Sequence, residues 1–248
     1  MHRFYVPPGA WNPDTLSLSG PEAHHAGHVL RLETGDKVVL FNGCGREITA
    51  EIVSRDAGAI HLRKLHEAQT APLRCRITLG QAIPKGKNMD LIVQKAVEIG
   101  AAEIAPILSD RTVVRLDEES AASKQAKWQA VAIEAAKQCG QNWLPKVQTP
   151  QPLAQFFREH RGFDLQLIGS LQSDAVHLKK ILAQFESEHG DRPSNVLMLV
   201  GPEGDFTPAE LSLARSQGCR PITLGPVVLR VETASIYCLS ILSYELLV

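Results

Sequence analysis

The run Val196-Leu197-Met198-Leu199-Val200, continued by Gly201-Pro202-Glu203-Gly204-Asp205-Phe206 and Thr207-Pro208-Ala209-Glu210, decides the fold. Five consecutive apolar residues fit a strand buried on both faces, as in parallel sheets. Thr207 with Glu210 three positions on is a capping box. Pro208 takes the first helical position, where its missing N–H is not needed. Gly218 stands where a helix end calls for a left-handed residue. Ile222-Thr223-Leu224-Gly225 and Val228-Leu229-Arg230-Val231-Glu232-Thr233-Ala234 then supply a second strand, a second glycine loop and a second helix. In open α/β sheets ligands bind beyond the carboxyl ends of strands. Two glycine loops at successive strand ends therefore point to one ligand site.

The same alternation extends towards the N-terminus. Cys75 to Ile83 reads as a strand. A helix capped by Asn88 or Asp90 runs to Ile99 and stops at Gly100. Ala102 to Leu108 reads as a strand broken by Pro106, and Ser120 to Gln138 as a long Ala-rich helix. Asp164 to Gly169 is a strand and His177 to Glu188 a helix. This is the pattern of an α/β domain with a mainly parallel sheet. The small, polar stretch from Glu67 to Pro72 marks a boundary, giving domains 1–72 and 73–248. The first domain is β-rich. Lys37 to Phe41, Glu47 to Val53 and Ala59 to Leu65 read as strands, with a turn at Asn42-Gly43-Cys44-Gly45.

Composition narrows the class. The chain has 248 residues, 44% hydrophobic and 21% charged, ordinary for a globular protein. Its five cysteines are scattered without a Cys-x-x-Cys pair, which fits a reduced cytoplasmic protein and not a disulfide framework or zinc site. His24 and His28 share a helix face, but no third ligand stands at suitable spacing, so no metal is expected. Met1 to Pro8 lacks the apolar core of a signal peptide. Ile236 to Val248 is apolar but short and carries Glu245, so it reads as a buried helix and not a membrane span. The net charge of −1 announces no global attraction to nucleic acid. Between positions 74 and 95, however, Arg74, Arg76, Lys85, Lys87 and Lys95 face only Asp90. That segment is either an RNA-facing patch or a solvated helix entry.

The loops lack Gly-x-Gly-x-x-Gly, and no Gly-Lys-Ser/Thr follows them, so the dinucleotide and Walker phosphate fingerprints are absent. A lone Gly-x-x-Gly would indicate only tight turns. The full set is more specific. Gly-Pro-Glu-Gly at 201–204 with Phe206, then Leu224-Gly225 and Leu229-Arg230-x-Glu232-Thr233-Ala234, resembles the RsmE family within the SPOUT class of S-adenosylmethionine-dependent RNA methyltransferases. The N-terminal half carries the same resemblance through Arg3, Phe4, His25, Val29, Leu30, Arg31, Gly35 and Asp36. Lys87, Asp90, Gln94, Lys95, Glu98, Gly100 and Pro106 extend it. Two positions depart from the family pattern. Asp205 replaces a second glycine, which bears on the loop's φ and ψ and on its charge. Gln141 replaces an arginine.

The resemblance implies an N-terminal PUA-like β-barrel that helps hold RNA and a C-terminal α/β domain with a deep trefoil knot. It implies methylation of N3 of a uridine in the 16S RNA of the small ribosomal subunit, in the decoding region, with S-adenosylmethionine as cofactor, and a homodimer. Gly201, Pro202, Glu203, Gly204, Leu224, Gly225, Leu229 and Thr233 would hold the cofactor, with Gly169, Ser170 and Leu171 as a third wall. Arg230 would stabilise charge on the uracil, aided by Glu203 or Glu232. Arg3, His25, Arg31, Lys85, Lys87 and Arg111 would contact RNA.

Several alternatives stand beside these roles. Arg230 could sit in a buried ion pair with Glu203 or Glu232. Glu232 could serve only the helix dipole, and Thr233 only a helix cap. Arg31 could form a surface salt bridge with Glu33 or Asp36. Ile236, Leu239, Leu242 and Leu246 form one apolar helix face that is either a dimer contact or core. A non-catalytic RNA-binding assembly factor of the same fold is the competing function.

Overall fold

The computed structural model describes residues 1–56, 58–112 and 116–247. They form two compact units, one of residues 1–72 and 133–144, the other of residues 73–132 and 145–248.

The first unit contains β1 (His2–Tyr5), β2 (Ser17–Ser19), the short helix α1 (Gly20–His24), β3 (Lys37–Phe41), β4 (Arg46–Asp56) and β5 (Ala59–Gln69). The strands form one sheet in the order β1-β3-β4-β5-β2. β1 runs parallel to β3, and the other neighbours are antiparallel. Alternate residues of β3 and β4, including Val38, Leu40, Ile48, Ala50 and Ile52, enter a core with Phe4, Leu18 and Ile60. After α1 the chain makes a π-helical turn from His25 to Val29 and leaves it at Arg31, whose φ is 54°.

The second unit contains β6 (Arg76–Ala82), α2 (Asn88–Ile99), β7 (Glu103–Leu108), α3 (Glu118–Cys139, whose last turns belong to the first unit), β8 (Lys146–Val147), β9 (Gln151–Pro152) and α4 (Leu153–Glu159). It continues with β10 (Leu165–Gly169), β11 (Val176–His177), α5 (Leu178–His189), β12 (Asn195–Val200), α6 (Pro208–Ser216), β13 (Arg220–Thr223) and α7 (Val231–Leu246). Its sheet has the order β11-β13-β10-β12-β6-β7-β8, with β9 also paired to β7. Every pairing is parallel.

β12 lies at the centre, and Val196 to Val200 are buried as the apolar run predicts. Leu197 and Leu199 share a core with Phe156, Phe206, Leu211 and Ala214. Val196, Met198 and Val200 point the opposite way by strand alternation. α7 packs against β6 and β12 and beside α2. A buried pair fixes its register: the Ser235 hydroxyl donates to Gln81 Oε1, while Gln81 Nε2 donates to the Ala82 carbonyl at 2.8 Å.

Two local expectations are corrected and one open alternative is decided. Pro106 does not break its strand. Ile104, two residues earlier and on the same side of β7, accepts from Gln148 N after β8, while β9 pairs only from Ile107 onward. The missing N–H of Pro106 thus falls between two short edge strands, where no ladder bond is lost. Neither Asn88 nor Asp90 caps α2. Lys87 occupies the N-cap position without a side-chain bond. Asp90 instead accepts from Lys127 Nζ at 2.6 Å and Trp128 Nε1 at 3.1 Å. Finally, Leu239, Leu242 and Leu246 are core residues of the single chain, so that face of α7 is not free for a partner.

Replacing Ser235 with Ala leaves the Gln81 carbonyl oxygen buried without its donor. The expected loss is about 1–3 kcal/mol of stability, read from chemical denaturation. An unchanged midpoint would contradict the pairing.

Candidate functional site

The strands that end side by side in the order β13-β10-β12 send three loops to one edge of the sheet. Their residues line a cavity of about 530 Å³. Gly169 to Gln172 form one wall, Gly201 to Asp205 the second, and Leu224 to Arg230 the third, with Val231 and Ala234 of α7 closing one side. Ten of the eleven residues expected to hold a ligand are therefore brought together. Thr233 is not. It points outward on the first turn of α7, and it does not cap that helix, whose N-cap is Arg230.

The second wall is shaped by a turn in which Asp205 N donates to the Pro202 carbonyl at 3.0 Å. Gly204, its third residue, has φ 87°, the position type II turns give to glycine. Asp205 follows with φ 68°. This is the left-handed conformation that glycine adopts freely and Asp tolerates better than most residues. The departure at Asp205 therefore leaves the loop closed. The turn brings Asp205 and Phe206 back onto Gly201. A Cβ on Gly201 would meet Asp205 Oδ1 at 3.1 Å and Phe206 N at 3.2 Å, so any other residue there would push the turn open by a few tenths of an ångström.

The turn is anchored from the loop after β7, two strands away from β12 in the sheet. The Glu210 carboxylate is buried and completes the capping box with Thr207. It also accepts from Ser109 Oγ at 3.1 Å and Asp110 N at 3.0 Å, in the loop after β7. The Arg111 guanidinium donates to the carbonyls of Gly204 and Asp205. Sequence reasoning missed this support. The capping-box spacing located Glu210 but carried no signal of its tertiary partners. Asp205, Pro226, Val227 and Val228 also line the cavity; they lay inside the quoted motifs, at or between the matching positions.

The charged residues separate clearly. Arg230 lines the cavity, is exposed, and forms no ion pair among the described residues, so the buried-pair alternative fails. Glu203 also lines the cavity, and its carboxylate oxygens accept from Lys85 N, each at 3.2 Å. Glu232 accepts from Asn88 Nδ2 at 3.1 Å and is not a lining residue. Lys85 and Lys87 are exposed in the loop after β6, on the same edge of the sheet as the cavity.

In the first unit, Arg3 is committed to Glu47 at 2.7 Å and Asn142 Oδ1 at 2.5 Å, and it stacks over Phe41. His25 packs edge-on against Phe4. Arg31 is exposed and makes no ion pair with Glu33 or Asp36. Gln141, the second departure, accepts from Trp143 N at 3.2 Å within this unit.

The chemistry available is limited. Burial pushes the thiols of Cys219 and Cys238 up to about 12, and burial with the nearby Asp164 charge does the same for Cys75, so none is a thiolate nucleophile. No cluster of metal-ligating side chains occurs among the described residues. What remains is a largely apolar cavity of backbone-lined loops with one free guanidinium. Such a site holds and orients a small molecule beside a group that can stabilise developing negative charge.

The site is thus that of an open α/β domain that takes its ligand at adjacent strand ends. A model of the RNA methyltransferase domain matches residues 71–243, and one of the RNA methyltransferase PUA domain matches residues 18–65. The chain is 32% identical over 238 residues to ribosomal RNA small subunit methyltransferase E of Bacillus subtilis, covering 93% of this chain and 90% of that protein. The enzyme of the same name from Neisseria gonorrhoeae, solved bound to S-adenosyl methionine, is 30% identical with a TM-score of 0.84 over 99% of this chain and 98% of that one. Lpg2936 of Legionella pneumophila, solved with the cofactor SAM, is 34% identical with a TM-score of 0.85, covering 98% and 97% of the two chains. The chain belongs to this RNA methyltransferase family, in the small subunit methyltransferase E group.

If Arg111 anchors the cavity loop, Arg111→Ala should speed amide hydrogen exchange across residues 201–206 about tenfold or more, with the core of β12 unchanged. Exchange unaltered in that loop would refute the anchoring.

Proposed function

We propose that this chain methylates N3 of a uridine in the 16S RNA of the small ribosomal subunit, using S-adenosylmethionine. The observation that carries the reading is the cavity at three strand ends with the unpaired Arg230 at its edge. The cavity fits the cofactor on its own terms. Its size suits a nucleoside-sized molecule, its walls offer backbone groups and aliphatic side chains, and Gly201 lets the loop that forms one wall fold back closely on itself. The three loops hold the adenosine and methionine parts, and Gly169, Leu171, Gly204, Leu224, Gly225 and Leu229 supply most of the cradle. The knot implied by the resemblance belongs to this reading.

When bound, the cofactor supplies an electrophilic methyl group on a sulfonium. The protein's part is positional and electrostatic. The loops fix the line of attack, which converts an encounter into a near-unimolecular step. Arg230 donates to a uracil carbonyl oxygen and stabilises the charge that develops as N3 loses its proton. It remains charged and is not the base. In this reading Glu203, an exposed carboxylate on the cavity wall, receives that proton. Glu232 instead orients the first turn of α7 through Asn88. Because Asp205 keeps the second loop closed, nothing in its conformation favours the non-catalytic assembly factor.

Lys85 and Lys87 lie on the edge where RNA would approach, and Arg31 is a free guanidinium suited to a phosphate. A nearly neutral protein binds naked RNA weakly by counterion release, so the folded particle in the cytoplasm is the favoured substrate. The outward face of α7 carries exposed Tyr237 and Tyr244 beside a second cavity of about 410 Å³ lined also by Leu178, Ile222 and Leu224. This apolar face is assigned to a homodimer. A monomer mass by light scattering at micromolar concentration would contradict that assignment.

Arg230→Ala should lower methyl transfer to small subunits by about a hundredfold or more, while cofactor affinity by calorimetry changes only slightly. Equal loss of binding and transfer would leave Arg230 a structural residue.

A further inference from the structure

The cavity wall carries two carboxylates, Glu203 and Asp205, and one guanidinium, Arg230. Glu203 is exposed and its oxygens are engaged by Lys85 N–H. Asp205 is half-buried and held more firmly. Its Oδ1 accepts from Phe206 N at 2.7 Å, and its Oδ2 faces Leu171 N at 3.5 Å across the gap between two loops. Its own carbonyl receives Arg111. Among the described residues only Arg31 shares its positive φ without being glycine. The turn itself needs an acceptor for Phe206 N–H and tolerance of that φ, and Asn would supply both. Nothing in the loop's folding requires a charge at this position.

We propose that the Asp205 charge makes the cavity select the methyl donor over its spent form. The inference rests on the cofactor reading above. Methyl transfer forms the N3–CH3 bond and breaks the S–CH3 bond. The electron pair of the broken bond stays on sulfur, the N3 proton leaves to a base, and the sulfonium cation becomes a neutral thioether. Donor and product share the adenosine, the α-ammonium and the α-carboxylate. They differ in one methyl group and one positive charge. A carboxylate fixed in a partly desolvated wall attracts the cation and has no such hold on the thioether. The wall's net negative charge acts in the same direction. The consequence is preferential loading of fresh donor and release of product after each turnover. Glycine at this position, usual in the resembling family, lacks that contribution.

The test is calorimetric titration of S-adenosylmethionine and S-adenosylhomocysteine into the full-length protein and its Asp205→Asn and Asp205→Gly variants. The readout is the ratio of the two dissociation constants. This ratio is insensitive to a loop defect that weakens both ligands alike. The expected result is a selectivity for the sulfonium reduced about fivefold in both variants, the scale of one partly screened charge. Asp205→Gly also relieves the positive φ, so it reports even if Asp205→Asn folds poorly. An unchanged ratio, or equal weakening of both ligands, would overturn the proposal and leave Asp205 a loop latch. A wild-type protein that binds neither molecule would instead overturn the cofactor reading, and this proposal with it.

Discussion

The buried carboxylate of Glu210 is the constraint on which the site's geometry depends. Within its own helix it accepts from Thr207 N, at 2.9 Å, and from the Thr207 hydroxyl, at 3.0 Å. Across the sheet it accepts from Ser109 and Asp110. A carboxylate taken out of water is stable only when donors surround it, and here the donors come from two segments about a hundred residues apart in sequence. Satisfying one charge therefore ties the end of β7 to the start of α6. That tie fixes where the Gly201–Asp205 turn can lie. Arg111 completes it from outside, and the glycine at 201 lets the turn close on itself. The cavity is a consequence of this closure and of the adjacent strand ends, and needs no large movement of side chains to exist.

Much of this was legible in the sequence because local signals agreed with the global fold. The apolar run of β12, the capping box of α6 and the strand-helix alternation all predicted the parallel sheet that the second unit has. The loops that line the cavity were marked by motif. What stayed hidden was tertiary. Asn88 looks like a helix cap but binds Glu232. Asp90 looks like another but holds Lys127 and Trp128. Pro106 looks like a strand breaker until β8 and β9 are seen to leave a gap beside it. The amphipathic stripe of α7 cannot by itself say whether its partner is the same chain or another. The transfer of residues 133–144 to the first unit carries no sequence signal either, because α3 runs through the change without interruption.

The basic residues illustrate the same point for function. Arg3, Arg31, Arg111 and Arg230 are indistinguishable in composition. In the structure Arg3 and Arg111 are occupied, one with Glu47 and Asn142, the other with the backbone of the cavity loop. Among the described residues Arg31 and Arg230 make no ion pair, one in each unit, whereas Arg3 and Arg111, also expected to contact RNA, are engaged within the protein. Arg230 also heads α7, so the position of its guanidinium is set by the same helix that the Ser235–Gln81 pair ties to β6.

The proposed reaction delivers a methyl group from the cavity to uridine N3. Its most direct test is transfer from labelled S-adenosylmethionine to small ribosomal subunits that lack the modification, followed by digestion to nucleosides. Label is expected as 3-methyluridine. Label in a different nucleoside, or no label from a protein that binds the cofactor and is offered unmodified subunits, would contradict it.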